Sequence, residues 1–146
     1  MSQSAPAVQL RRARADELEA CSALYEKVLK ETFTWLPPEG HKAADFLAYA
    51  LYEETYVAVD AGRILGLLAF YRPDNFVHSL YVDDRGRGIG KALLDHVQAT
   101  ADGPLSLKVQ VANVLARAFY AREGFRVVEE GRDPDPGVPW LRVMRI

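Results

Sequence analysis

The sequence is poor in cysteine and contains no long apolar run. Cys21 is the only cysteine, so the chain forms no internal disulfide, and on a predicted helix this residue is expected to be a small core residue rather than a nucleophile. The longest apolar stretches, 46–52 and 64–71, are far shorter than a membrane span. The first seven residues lack the apolar segment of a signal peptide. These absences predict a soluble cytoplasmic protein that does not bind membranes.

The sequence also lacks an excess of charge of either sign. Eighteen Lys and Arg residues against twenty Asp and Glu residues leave a formal charge of -2, which favours neither nucleic acid nor an anionic membrane as partner. The short basic clusters at 11–14 and 85–87 have no interleaved aromatic residues, so nucleic-acid binding is a weak alternative. His41, His78 and His96 share no ligand spacing, and no metal is predicted.

The 146 residues, 49% apolar and 26% charged, have the size and balance of one globular domain, with residues 1–6 expected to be disordered. Apolar periodicity and breaker residues predict a mixed order of strands and helices. The predicted strands are 8–14, 55–59, 64–71, 77–82, 105–111, 125–130 and 140–146, and the predicted helices are 16–31, with Asp16 as N-cap, 42–51, 89–101 and one that follows Asn113. The immediate succession of strand, helix, strand and helix after residue 77 implies two parallel strands joined by a right-handed crossover. The fold class is therefore α/β, built on a mixed sheet.

A glycine-rich segment, Arg85-Gly86-Arg87-Gly88-Ile89-Gly90, lies between a predicted strand and a predicted helix. Glycines let successive backbone N–H groups turn toward one point, and the following helix adds its unpaired first-turn amides and its positive dipole end. This is an anion cradle suited to phosphate or pyrophosphate. The spacing excludes two common phosphate motifs, the Walker A loop and the Gly-x-Gly-x-x-Gly fingerprint, because this sequence lacks the residues that each motif requires at fixed positions.

The surviving pattern, Arg-x-x-Gly-x-Gly behind a strand that ends Leu80-Tyr81-Val82, resembles the acyl-CoA loop of the GNAT superfamily of N-acyltransferases. About twenty residues later, the segment from Asn113 to Phe119-Tyr120 and on to Gly124-Phe125 is similar to that family's Asn-x-x-Ala-x-x-Phe-Tyr-x-x-x-Gly-Phe motif. The predicted element order also matches the GNAT fold over nearly the whole chain. The two motifs, in the family's order, make the resemblance specific.

The resemblance implies acetyl-CoA as co-substrate, with central parallel strands that splay apart to admit its pantetheine arm. Backbone amides from Arg87 to Lys91 would bind the pyrophosphate, Asn113 would contact the pantetheine, and Tyr120 would lie near the sulfur and return a proton to the leaving thiolate. From the residues alone, Asn113 is equally an N-cap and Tyr120 an amphipathic surface aromatic. The expected cofactor-binding residues are Leu80, Val82, Arg85, Arg87, Gly88, Ile89, Gly90, Lys91, Asn113 and Tyr120.

The glycine loop departs from the family in length. About five residues separate the strand-ending Val from the motif's first residue in most members, whereas Arg85 is only three beyond Val82. Either the turn is shorter by two residues, or Leu80 takes the usual Val place. The backbone amides that meet the pantetheine are accordingly those of His78 and Leu80 or those of Leu80 and Val82, and we favour the second pair.

A proton acceptor for the attacking amine is also required, because only the neutral amine attacks a thioester. His78 is the best single candidate, since its ordinary pKa suits neutral pH and it lies two residues before Leu80. The alternative is deprotonation through water, with Glu39, Asp133, Asp135 or the substrate's own equilibrium in solution involved.

Residues that could border the acceptor cleft are Phe33, Trp35 and Glu39, which lie in an aromatic segment with two prolines. A hydrophobic lid is an equally good interpretation of that segment. The expected activity is acetyl transfer from acetyl-CoA to a primary amine of a small molecule, or to a peptide amine, by direct attack in a ternary complex. A CoA-binding sensor without turnover is the rival, and a homodimer that pairs through the strand 140–146 is an open possibility.

Overall fold

The computed structural model describes residues 8–32, 47–48, 50–83, 88–134 and 137–146. Within these ranges the chain forms one seven-stranded sheet and three α-helices of at least nine residues, which confirms the predicted α/β class. The strands are β1 (Gln9–Arg12), β2 (Glu54–Asp60), β3 (Arg63–Tyr71), β4 (Phe76–Val82), β5 (Ser106–Gln110), β6 (Phe125–Arg132) and β7 (Pro139–Arg145), and the helices are α1 (Leu18–Thr32), α2 (Ile89–Gln98) and α3 (Val114–Arg122). Most of the helix predicted over 42–51, and the whole aromatic segment 33–40, lie outside the described residues.

The entry into α1 differs from the prediction. A 3-10 turn, Ala15–Glu17, precedes the helix, so Asp16 lies inside that turn and is not the N-cap. The Glu17 carboxylate accepts the backbone N–H of Arg14 at 2.8 Å and pairs with both guanidinium nitrogens of Arg11 at 2.7 and 2.8 Å. These hydrogen bonds, chiefly the one with Arg11, lower the pKa of Glu17 to about 2. Glu17, rather than Asp16, therefore fixes the start of the helix.

The N-terminal half of the sheet is antiparallel. The predicted hairpin is confirmed, since β2 and β3 pair from Glu54↔Phe70 to Asp60↔Arg63, and β1 pairs with β2 on the outside. Strand β3 also pairs with β4, but that register skips one residue between Phe70↔Val77 and Ala69↔Ser79. The extra residue is His78, which therefore occupies a β-bulge.

The predicted parallel pair is also confirmed, and it splays. Strands β4 and β5 are in register only at Phe76↔Ser106, where the Ser106 N–H donates to the carbonyl of Asn75 at 3.0 Å. Beyond this point the two strands run in the same direction without pairing. The separation leaves an opening in the middle of the sheet at the carboxyl end of β4.

The C-terminal half of the sheet has the order β5-β7-β6. Strand β7 pairs with β5 from Ser106↔Met144 to Gln110↔Trp140 and with β6 on its other side. Because both edges of β7 are already hydrogen-bonded, the idea that the strand 140–146 pairs across a dimer is wrong. Strands β1 and β6 are the edges of the sheet.

Apolar side chains fill both faces of the sheet. The larger cluster lies beside α2 and α3 and includes Phe70, Leu93 and Leu107, and the smaller one lies beneath α1 around Cys21. Burial raises the pKa of the Cys21 thiol to about 11, so this residue is an inert core side chain, as expected. Among the described residues, no helix is both long and apolar enough to cross a membrane.

Candidate active site

A cavity of about 1180 Å³ opens where β4 and β5 separate. Residues of α1, β4, α2, β5 and α3 contribute to its wall. The structure brings together there nine of the predicted catalytic and cofactor-binding residues: His78, Leu80, Val82, Gly88, Ile89, Gly90, Lys91, Asn113 and Tyr120. Arg85, Arg87, Phe33, Trp35, Glu39 and Asp135 lie outside the described residues.

The start of α2 supplies backbone donors to this cavity. Gly88 is the N-cap and has a left-handed backbone, with φ +70°, which favours glycine. The Ala92 N–H donates to the carbonyl of Gly88 at 3.0 Å, as the first hydrogen bond of the helix. The backbone N–H groups of Ile89, Gly90 and Lys91 belong to the first turn of α2 and have no acceptor within the helix. They form the positive end of the α2 dipole at the cavity wall.

Two glycines allow α2 to lie close to its neighbours. A Cβ on Gly66 of β3 would be 3.0 Å from Ile89 Cγ2 and 3.1 Å from the carbonyl oxygen of Tyr81. A Cβ on Gly90 would be 3.1 Å from Phe119 Cζ on α3. Gly90 therefore serves helix packing, which the sequence did not reveal, and Gly66 is a supporting residue that the sequence interpretation missed.

The direction of the β4 amides follows from one hydrogen bond at its end. The Asp83 N–H donates to the carbonyl of Leu65, on the β3 side, at 2.9 Å. Backbone N–H groups alternate sides along a strand, so those of Leu80 and Val82 point away from β3, toward the opening beside β5. The favoured pair of amides requires this direction, and the choice between the two pairs stays a prediction.

Lys91 was expected to bind the cofactor, and its side chain is paired with two carboxylates. Its ammonium lies 3.3 Å from a carboxylate oxygen of Glu123 and 3.3 Å from one of Asp95. The hydrogen bond to Glu123 is the main reason why the pKa of Lys91 is raised. Lys91 thus lines the cavity with its charge already balanced, and its backbone amide is the more direct contribution to an anion site.

Asn113 caps α3. Its side-chain oxygen accepts the backbone N–H of Ala116 at 3.2 Å, which satisfies one of the unpaired amides of the first helical turn. This confirms the capping role that the sequence left open. The side-chain NH₂ group of Asn113 remains a donor at the cavity wall.

Tyr120 is buried, with 9% of its surface exposed, so it is not a surface aromatic. Its ring packs edge-on against Phe119 and Phe125, with centroids 5.2 and 5.4 Å away. Burial alone raises the pKa of the phenol. Among the described residues none hydrogen-bonds the Tyr120 hydroxyl, although this residue lines the cavity. A protonated donor is thus available there at neutral pH.

Further side chains at or beside the cavity wall come from distant parts of the sequence. His78 Nδ1 lies 3.0 Å from Glu53 Oε1, and the Lys108 ammonium lies 4.1 Å from the centre of the Trp140 ring. Asp133 also lines this wall. Glu53, Lys108 and Trp140 were missed by the sequence interpretation, because no motif contains them.

Trp140 is held against a glycine. A Cβ added to Gly131 would lie 2.7 Å from Cε2 and from Cη2 of the Trp140 ring, and closer still to Cζ2. Gly131 and Trp140 are opposite each other in the β6–β7 pair. The absence of a side chain at Gly131 therefore determines where the indole lies. In the part of the chain that the structure describes, no group of three or more His, Cys, Asp or Glu side chains could hold a metal ion.

Comparison with known proteins gives a consistent result. Residues 19–125 match the family model described as the acetyltransferase (GNAT) family. Peptidyl-lysine N-acetyltransferase YjaB of Salmonella typhimurium is 30% identical over 142 residues, which cover 91% of this chain and 93% of that protein.

Solved structures agree with the fold. The solution structure of apo YjaB from Escherichia coli matches with a TM-score of 0.80 and 24% identity, covering 96% of this chain and 98% of that one. The structure of YncA from Salmonella typhimurium with its cofactor acetyl-CoA matches with a TM-score of 0.64 and 17% identity, covering 94% and 92% of the two chains.

Proposed function

This chain belongs to the acetyltransferase (GNAT) family, and we propose that it transfers the acetyl group of acetyl-CoA to a primary amine by direct attack in a ternary complex. Family membership makes it an acyl-CoA-dependent N-acyltransferase. The donor, the acceptor class and the roles of individual residues are inferred from the cavity and from what similar proteins bind.

The proposal rests mainly on one observation: three kinds of hydrogen-bond donor line the same cavity. The Leu80 and Val82 amides point into the β4–β5 opening, the first-turn amides of α2 lie at one end, and the Tyr120 hydroxyl lies on the α3 wall. A pantetheine arm has amides that can pair with an open strand as a further strand would, and a pyrophosphate suits a helix N-terminus. The residues present therefore fit acetyl-CoA, the cofactor bound in YncA.

Bound acetyl-CoA supplies an acyl thioester: the amine nitrogen bonds to its carbonyl carbon, the carbon–sulfur bond breaks, and the products are an N-acetylamine and free CoA. Tyr120 holds a proton at its hydroxyl and gives it to the departing sulfur. Because burial raises the pKa of this phenol, the thiolate must be held close to it for the transfer to proceed. Positioning, more than driving force, is the contribution of Tyr120.

The acceptor attacks as the neutral amine and loses a proton as the carbon–nitrogen bond forms, and we infer that His78, which lines the cavity, takes this proton. The sequence favoured a small-molecule amine, whereas YjaB of Salmonella typhimurium acts on peptidyl-lysine. Both acceptors present the same chemical group, a primary alkylamine. A homodimer and a cytoplasmic location stay predictions.

Thiol release from purified protein tests the function. Acetyl-CoA would be supplied with spermidine, free lysine or a peptide that contains one internal lysine, and CoA formation would be followed with a thiol reagent. We expect amine-dependent CoA formation above background with at least one of these acceptors, and mass spectrometry of the product would show one acetyl group per amine modified.

The rival function, a CoA-binding sensor, gives a different result in the same samples. A sensor would be stabilised by CoA against thermal unfolding, because binding to the folded state alone raises its stability, yet it would release no thiol with any amine. That outcome would contradict the proposed activity while leaving the CoA site intact.

A further inference from the structure

Glu53 is a buried carboxylate that the acetyl-transfer scheme above does not use. Its side chain is 7% exposed, and it lies immediately before β2. Its Oε1 is 3.0 Å from the Nδ1 of His78, whose side chain is 32% exposed. A buried carboxylate that contacts a partly exposed imidazole at hydrogen-bond distance needs an explanation, because burying a charge is costly unless it is paired.

The β-bulge determines how His78 meets this carboxylate. Phe70 pairs with Val77 and Ala69 pairs with Ser79, so His78 is the unmatched residue of β4. A bulge changes the direction of the side chain it carries, and bulges are frequent beside active sites. His78 is thereby turned to the cavity wall while its Nδ1 faces Glu53.

The chemistry of the pair fixes which nitrogen can react. An ionised carboxylate only accepts hydrogen bonds, so the contact assigns the proton of the neutral imidazole to Nδ1, which donates to Glu53. The Nε2 atom is then the basic nitrogen.

We propose that Glu53 is a positioning residue that holds His78 as its Nδ1–H tautomer, so that His78 Nε2 accepts the proton lost by the attacking amine. This inference rests on the acetyltransferase function proposed above. The proton moves from the amine nitrogen to Nε2 as the carbon–nitrogen bond forms, Tyr120 protonates the departing sulfur, and the resulting imidazolium and phenolate regain their resting states by exchange with water. No other reactant is needed.

Other ionisable groups share the cavity with His78 and belong in any account of its pH dependence. They come from every wall: Tyr25 and Glu31 of α1, Tyr81 of β4, Lys91 of α2, Lys108 of β5, Tyr120 and Arg122 of α3, and Glu123 and Asp133 beyond α3 and β6. Of these, Lys108 lies over the Trp140 ring and Lys91 pairs with Glu123. Glu53 is the carboxylate that meets the imidazole itself, at hydrogen-bond distance from Nδ1.

The test uses a double-mutant cycle of Glu53→Gln and His78→Gln. We expect each single variant to lower kcat by about 100-fold, the lower end of the range for general acid–base catalysis. If Glu53 acts only through His78, adding Glu53→Gln to His78→Gln should have no further effect on kcat.

A matched control is available at the next residue. Glu54 bonds Arg72 and Tyr56 on the other side of β2, away from His78. Glu54→Gln should lower thermal stability and leave kcat and its pH profile unchanged. If Glu53→Gln behaved like Glu54→Gln, or if it lowered kcat by the same factor with and without His78, the positioning role would be wrong.

A measurement on the unmutated protein covers the case in which Glu53→Gln does not fold. Nitrogen-15 chemical shifts of the imidazole, assigned with His78→Gln, should show that the neutral ring carries its proton on Nδ1 and none on Nε2. The opposite tautomer would overturn the inference alone. A wild-type protein that released no thiol with any amine would overturn the acetyltransferase proposal and this inference with it.

Discussion

The two walls of the cavity are built in different ways. The wall that we propose for acetyl-CoA, the donor wall, consists mainly of backbone groups: the β4 amides that point away from β3, the first turn of α2 and the cap of α3. The wall that we propose for the amine, the acceptor wall, consists of side chains from separate segments, including His78, Lys108 and Trp140, and Glu53 contacts His78 there. Backbone sites need particular turns and glycines at fixed spacing, so they leave a motif in the sequence, whereas a wall of side chains leaves none.

The largest expected effect lies where the two walls meet, at Tyr120. Replacing it with Phe removes the proton donor and keeps the ring, so kcat should fall by about 100-fold, within the range for general acids. The KM for acetyl-CoA should change little. Because burial raises the pKa of the phenol, wild-type activity should show no alkaline loss from Tyr120 near neutral pH.

Steady-state kinetics check this prediction, with Tyr52→Phe as the control. Tyr52 is 78% exposed and does not line the cavity. If Tyr120→Phe kept the full kcat of the wild type, Tyr120 would not be the general acid, and neither wall would depend on its hydroxyl.

The next effect isolates the acceptor wall. Gly131→Ala would place a methyl group against the Trp140 ring, which must then move away from its place beside Lys108. Overpacking of this kind costs about 1–3 kcal/mol of unfolding free energy. We expect a several-fold rise in the KM for the amine and an unchanged KM for acetyl-CoA. Equal changes in both KM values would mean that the two walls are not separable.

A pair of glycines isolates the donor wall. Gly88 and Gly62 have φ values of +70° and +79°, and a Cβ added at either position would have no neighbouring atom within 4 Å, so alanine meets only backbone strain at both sites. Each variant should lose about 1 kcal/mol of stability. Only Gly88→Ala should also raise the KM for acetyl-CoA, since Gly62 lies in the β2–β3 turn. If Gly62→Ala raised the KM for acetyl-CoA by the same factor, the change in Gly88→Ala would be due to lost stability and not to the cavity wall.

The smallest effect concerns the scaffold behind the acceptor wall. Hydrogen bonds from Arg72 are the main cause that lowers the pKa of Glu54 from 4.5 to about 2. A carboxyl group whose pKa is lower in the folded than in the unfolded state stabilises the folded protein at pH values above its unfolded pKa. This stabilisation is lost as the pH falls from about 4.5 to about 2. Glu54→Gln should therefore cost about 1–2 kcal/mol at pH 7 and nothing below about pH 2. Chemical denaturation across this pH range measures the difference.

The sequence was sufficient for the donor wall because its parts are contiguous. Asn113 makes the capping bond that its place before the helix implied, Gly88 lies in the predicted glycine loop, and the parallel β4–β5 pair follows from the order of elements. Whether the turn after Val82 is shorter by two residues or Leu80 takes the usual Val place stays open, because residues 84–87 lie outside the described part of the chain.

The acceptor wall could not be derived in the same way. Glu53 and Glu54 are adjacent and chemically identical, and only the three-dimensional structure shows that one meets His78 and the other Arg72. The bulge at His78 depends on pairing with β3, which no local pattern encodes. The contact between Gly131 and Trp140 likewise depends on the β6–β7 register, and the insertion of β7 between β5 and β6 is a long-range pairing.

Backbone amide shifts during an acetyl-CoA titration test the central claim that backbone groups hold the donor. Nitrogen-15-labelled protein should show its largest changes at Leu80, Val82 and the first turn of α2, with smaller changes at Glu53 and Trp140 until an amine is added. Changes centred on His78 and Leu80 would instead support the other pantetheine register. Changes absent from both β4 and α2 would contradict the account.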